Sequence, residues 1–155
     1  MSPGLRDELK QTKPFESPEA EAALSIARTA AELEHALAQW LKPHGLTPTQ
    51  YNVLRILRGA GAAGLCRNEV GNRLVTRVPD VTRLLDRMEQ TGLISRQRGA
   101  DDRRFVTTRI TRKGLELVDA LDRPIVALHG TQLGHLGKRD LRTLIDLLAK
   151  ARRPA

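Results

Sequence analysis

Apolar residues recur at helical spacing over the first third of the chain. Ile26, Ala30, Leu33, Leu37, Trp40 and His44 follow one another at alternating steps of four and three, which predicts a long helix from Pro18 with one face suited to packing on other helices. Pro43 and Gly45 end it. Residues 1–17 are polar, lack periodicity and contain Pro3 and Pro14, so they are read as a flexible arm. The next segment, Leu46-Thr47-Pro48-Thr49-Gln50-Tyr51, holds a cap, a proline suited to the first helical position and the second half of a capping box. Tyr51, Leu54 and Leu57 continue that helix to a glycine-rich loop at Gly59–Gly64.

Two short helical stretches follow, about Arg67–Leu74 and Val78–Thr91. In the second, Val81, Leu84, Leu85 and Met88 form an apolar face, while Pro79, Thr82, Arg83 and Asp86 lie opposite near its start. Two short helices in series, the second displaying polar residues at its beginning, predict a helix-turn-helix. After Gly92 the period changes to two. Ile94, Arg96 and Arg98 alternate with Ser95 and Gln97, and Val106, Thr108 and Ile110 alternate with Thr107 and Arg109. This is a β-hairpin with a charged tip at Gly99–Arg104, hence a wing. Near-extended backbone there would send Asp102 and Arg104 one way and Arg103 the other. Thr111 caps a further helix along Leu115, Val118, Leu121, Ile125 and Leu128, with a kink or break expected at Pro124. A last helix starts near Gly137 and runs along Leu141, Leu144, Ile145 and Leu148. The fold class is therefore mainly α with a small β-hairpin.

Charge sharpens this reading. The net charge is +8, and the segment from Arg67 to Gly114 holds twelve basic residues against six acids. A basic block on a helix-turn-helix is the footprint expected of a phosphate-binding surface. With aromatics at 3%, the core rests on Leu, Val, Ile and Ala. The one cysteine excludes an internal disulfide framework. No apolar run is long enough for a bilayer, and the opening residues lack the apolar stretch of a secretion signal, so a cytoplasmic protein without membrane contact is expected. His35, His44, His129, His135 and Cys66 do not make a metal-ligand spacing. No nucleophile elbow, phosphate cradle or dinucleotide signature is present, so neither an enzyme nor a cofactor is expected.

The segments Leu46–Tyr51, Thr82–Glu89, Gly92–Arg96, and Asp102-Arg103-Arg104 followed by Ile110-Thr111-Arg112-Lys113-Gly114 resemble the MarR family of regulators. The likeness runs from about Leu24 to Leu148. It implies one MarR-like domain over residues 18–155. Residues 18–45 and 115–150 would then form dimerisation helices around a winged helix-turn-helix at 46–114. The implied function is a ligand-responsive repressor that binds an inverted-repeat operator in double-stranded DNA as a homodimer.

Carried over by position, Val78–Thr91 is the recognition helix. Pro79, Asp80, Thr82 and Arg83 are its candidates for facing bases or phosphates. Arg104 matches the wing arginine of a minor groove, with Asp102 as its support and Arg103 as a phosphate contact. Arg28, Trp40 and His44 lie near where the family forms a pocket for small aromatic anions. Cys66 stands where the family often has Ser or Thr capping the first helix of the motif, and Gly71 replaces a common Ala. Two alternatives stay open: redox sensing through Cys66, and an adaptor whose winged helix binds protein, which a salt-dependent gel shift discriminates.

Overall fold

A computed structural model describes residues 4–153 and divides the chain into two units, with the boundary at Gly45–Leu46. In the first unit the expected arm is not wholly irregular. A single turn, α1, spans Leu5–Glu8. The Arg6 guanidinium folds onto the carbonyls of Gln11 and Thr12 at 3.2 and 3.0 Å. One turn is too short to show a period in sequence, which is why pattern reading passes over it. Residues 1–3 of the arm lie outside the described residues.

Helix α2 then runs Pro18–Leu41. Ser17 Oγ accepts the Ala20 N–H at 3.2 Å, Pro18 occupies the first turn, and Glu19 and Glu21 complement its positive end. A 3-10 turn at Lys42–His44 leads to Gly45 in the left-handed region, so Pro43 and Gly45 end the helix as expected. Only Leu41 of α2 is buried, and Leu24 and Ile26 stay nearly half exposed.

The second unit begins with α3, Pro48–Ala60. Its capping box is formed in both directions: Gln50 N–H donates to Thr47 Oγ1 at 3.2 Å and Thr47 N–H to Gln50 Oε1 at 3.1 Å. Tyr51, Val53, Leu54 and Leu57 are buried. A two-residue strand, β1 (Leu65–Cys66), comes next, then α4 (Arg67–Arg73) and α5 (Val81–Gln90). Strands β2 (Ile94–Arg98) and β3 (Val106–Ile110) make the hairpin in the register Ile94 to Ile110 through Arg98 to Val106. The sheet has a third strand that the period did not reveal. β1 pairs antiparallel with β3, Leu65 opposite Thr108 and Cys66 opposite Thr107, so β3 is central. Thr108 is accordingly buried.

Three expectations need correction. Helix α5 starts at Val81 rather than Val78. Pro79 disfavours helical backbone at Val78, and Asp80 is the cap, its Oδ1 accepting the Arg83 N–H at 2.9 Å. At the other end Thr91 is the cap and Gly92 turns the chain at φ 77°.

The wing tip is a turn and not extended chain. Phe105 N–H donates to the Asp102 carbonyl at 3.0 Å and Gly99 N–H to the Phe105 carbonyl at 2.7 Å. Finally, α6 (Arg112–Leu133) continues through Pro124 without a break. The proline removes one backbone donor, but the helix is held on both sides of it by Val118, Leu121 and Ile125, all buried. A 3-10 turn at Gly134–Leu136 leads to α7, Gly137–Ala151.

Two side-chain ties fix α6. Arg58 on α3 reaches Asp119 Oδ1 at 2.7 Å and Asp122 at 2.7 and 3.0 Å, and the guanidinium holds the Asp122 carboxyl below its usual range. At its start, Thr111 Oγ1 accepts the Gly114 N–H at 3.1 Å and donates to the Gly92 carbonyl at 2.6 Å.

Gly114 sits against the chain just beyond α5. A Cβ there would run into the Leu93 carbonyl oxygen, and it would meet Ile110 Cγ1 at 2.9 Å. Gly114→Ala is expected to lower stability by about 1–3 kcal/mol through overpacking. Gly130→Ala, in open space on the same helix, should raise it by about 0.5–1 kcal/mol. Urea unfolding of both variants checks the pair, and equal midpoints would contradict the close packing at Gly114.

Candidate nucleic-acid interface

The polar start of α5 follows from its cap. Asp80 takes the Arg83 N–H, so its carboxylate serves the backbone, and this explains an acid on an otherwise basic face. The apolar side of α5 is anchored by Leu85 and Met88, both buried. That orientation leaves Arg83 and Arg87 exposed and Thr82 half-buried. Pro79 and Asp80 lie in the loop and cap ahead of the helix, at the rim of a cleft of about 710 Å³ between α4 and α5.

The same cleft is lined by Arg67, Asn68, Asn72 and Arg77, none of which sequence reasoning selected. The signal was present only indirectly. A helix whose buried residue is Val70 alone must display the rest. Arg67 Nη1 donates to Thr82 Oγ1 at 3.0 Å, joining the two helices across the cleft. Their close approach uses the glycine at 71, where a Cβ would stand 3.2 Å from Val81 Cγ2.

At the wing tip Asp102 and Arg104 do come together, through the turn rather than through strand alternation. Asp102 Oδ1 accepts the Arg104 N–H at 3.0 Å and its Nε–H at 3.2 Å, and Oδ2 lies 3.4 Å from Arg104 Nη2. The backbone N–H and then the guanidinium hold the Asp102 carboxyl below its ordinary range, so it is ionised at neutral pH. The Arg104 side chain is nevertheless 92% exposed. Among the described residues Arg103 has no side-chain partner, and it is exposed.

Arg96, one of the alternating wing residues, has a different role. It pairs with Asp86 and with Glu89, the latter at 3.1 Å, and its backbone N–H donates to Glu89 Oε2 at 2.9 Å. These contacts join β2 to α5 and hold the Arg96 guanidinium more firmly charged, Glu89 contributing most. Arg109 and Lys113 are also held internally, on the carbonyls of Ala62 and Thr91 at 2.8 Å each.

Cys66 is the cap residue of α4, and its backbone N–H is taken by Glu69 Oε2 at 2.8 Å. In the first unit, Trp40 and His44 lie with ring centroids 4.9 Å apart, while Arg28 pairs with Glu32 at 3.2 Å. Twelve helical residues set Arg28 about 18 Å along the axis from Trp40, so the end of α2 and the 3-10 turn after it bring Trp40 and His44 together without Arg28. Among the described residues no group of three or more His, Cys, Asp or Glu is placed to hold a metal. No described helix is long and apolar enough to cross a membrane.

Comparison with known proteins agrees with this geometry. Residues 46–106 match the model of the MarR family. The HTH-type transcriptional regulator YkoM of Bacillus subtilis strain 168 is 32% identical over 143 residues, covering 88% of this chain and 90% of that protein. The crystal structure of a MarR transcription factor from Planctomyces limnophilus is 35% identical, with a TM-score of 0.68 over 88% of this chain and 98% of the other. A mutant MarR from E. coli, complexed with operator DNA, shares the fold at 23% identity, with a TM-score of 0.77 over 96% of this chain and 99% of that one. The chain belongs to the MarR family, whose members are transcription regulators and not enzymes.

Proposed function

We propose that the chain binds an inverted-repeat operator in double-stranded DNA as a homodimer and represses transcription until a small aromatic anion releases it. The observation that carries the DNA reading is Arg104. A guanidinium that is 92% exposed is braced by an ionised Asp102 on a hairpin that Arg96 ties to α5. A side chain held ready and left in solvent is what a narrow minor groove attracts, because the groove concentrates negative potential. Helix α5 would then lie in the major groove with Thr82 and Arg83 toward the bases, and Pro79 and Asp80 at the rim. The E. coli MarR mutant and S. aureus MepR, both solved in complex with DNA, have this fold, MepR at a TM-score of 0.75.

The dimer reading rests on unpartnered apolar surface. Helix α7 buries none of its residues, with Ile145 and Leu147 more than half exposed, and Val126 of α6 is 71% exposed. A second copy is the simplest cover for such faces. Support for an anionic effector comes from a second cleft, of about 320 Å³, whose lining includes Arg67, Arg96, Arg104 and Phe105. A ligand there would act by binding the free and DNA-bound arrangements unequally.

Light scattering at micromolar concentration should return twice the chain mass, and footprinting should protect two half-sites about 34 Å apart; a monomer would remove the dimer from the proposal. Operator titration at two salt concentrations separates the wing arginines. Arg104→Ala should cost about 1–3 kcal/mol and relax preference at the minor-groove positions. Arg103→Ala should cost less and mainly shallow the salt dependence. Equal losses with unchanged preference would reduce the wing to a diffuse basic patch. Benzoate and related carboxylates should weaken DNA binding, and Cys66→Ser should leave that response intact. Loss of an oxidant response in Cys66→Ser, with no effect of any aromatic compound, would favour redox sensing instead.

A further inference from the structure

Arg67 opens α4, Thr82 is the second residue of α5, and a single hydrogen bond joins them at 3.0 Å. The direction of that bond is fixed by chemistry. A guanidinium has only donors, so the Thr82 oxygen accepts and keeps its own hydrogen for another partner. In three other threonines of this chain the hydrogen goes to a carbonyl about one turn back: Thr91 to Met88 at 3.1 Å or Arg87 at 3.3 Å, Thr131 to Ala127 and Thr143 to Arg139 at 3.2 Å each. For Thr82 the corresponding residue is Val78, which lies in the loop ahead of the Asp80 cap. Among the described residues, no acceptor takes the Thr82 hydroxyl hydrogen. Both side chains line the open cleft between α4 and α5, on the face that also holds Pro79 and Asp80.

We infer that Arg67 is a positioning residue for base selection: by occupying one of the two lone pairs on the Thr82 oxygen it restricts the hydroxyl's rotation and biases it toward donating its own hydrogen. A free threonine hydroxyl serves donors and acceptors alike, so it discriminates poorly among major-groove edges. A threonine biased toward donation favours an acceptor at the atom it meets, such as guanine N7 or O6, adenine N7 or thymine O4, over the cytosine amine, which has only the remaining lone pair to bond. This inference rests on the reading of α5 as the major-groove element.

The test uses the full chain, an operator selected by the wild-type protein from random duplexes, and every single base-pair substitution across one half-site. Arg67→Ala and Thr82→Val should each flatten preference at the same base pair by about tenfold. The double variant should flatten it by about the same factor and not by the hundredfold product, since the two residues act as one unit. Circular dichroism checks that the folds are unchanged. Multiplicative losses would overturn the inference. So would an Arg67→Ala variant that lowers the salt slope by about one at every sequence and leaves base preference untouched, which is the signature of a plain phosphate contact. No effect of Thr82→Val at any base would overturn it as well. Wild-type protein that selects no sequence at all would defeat the operator reading itself, an outcome distinguishable from these.

Discussion

Helix α5, the hairpin and helix α6 are held in register by one residue, Thr111. Its N–H donates to the Leu93 carbonyl at 3.1 Å, its hydroxyl donates to the Gly92 carbonyl at 2.6 Å, and its oxygen caps Gly114. The end of α5, the beginning of β2, the end of β3 and the start of α6 therefore share one corner. Each bond contributes on the order of 1 kcal/mol alone. Together they tie the end of α5 to the base of the hairpin and to the start of α6. The absence of a side chain at Gly114 is the steric condition for this corner, because the Leu93 backbone occupies the place a Cβ would need.

The basic residues divide into those that build the frame and those that face solvent. Arg58 ties α3 to α6, Arg96 ties the hairpin to α5, and Arg109 and Lys113 close carbonyls. Among the described residues Arg77, Arg83, Arg87, Arg98 and Arg103 have no side-chain partner. A positive total says nothing of this division, and only the solvent-facing group is available to phosphates. The acids follow the same logic: Asp80 caps a helix and Asp102 orients an arginine, so two negative charges sit on the basic face without opposing its purpose.

Much of this architecture was legible in the sequence because capping and periodicity are local. Thr47 with Gln50, Thr111 before α6, and Gly92 after α5 mark their elements by chemistry that acts within one turn. What escaped was either too short or too distant. Strand β1 is two residues and exists only through its pairing to β3, more than forty positions away. Arg96 fits the hairpin alternation equally well as a wing cation or as a tether, and only the placement of Asp86 and Glu89 decides. Arg67 carried no pattern at all, since its role depends on a threonine fifteen residues on. Helix α5 starts three residues later than its apolar pattern alone predicts, because Pro79 and the cap at Asp80 set the boundary.

Helix α6 has one further property that follows from its sequence. Pro124 has no amide hydrogen, so the Ala120 carbonyl lacks the intrahelical donor that every regular position enjoys. The backbone ladder has its gap there, two residues beyond the Asp122 carboxylate that Arg58 holds and within the row of buried residues from Val118 to Ile125. Side-chain burial at Leu121 and Ile125 therefore does at that gap what the backbone ladder does elsewhere in the helix.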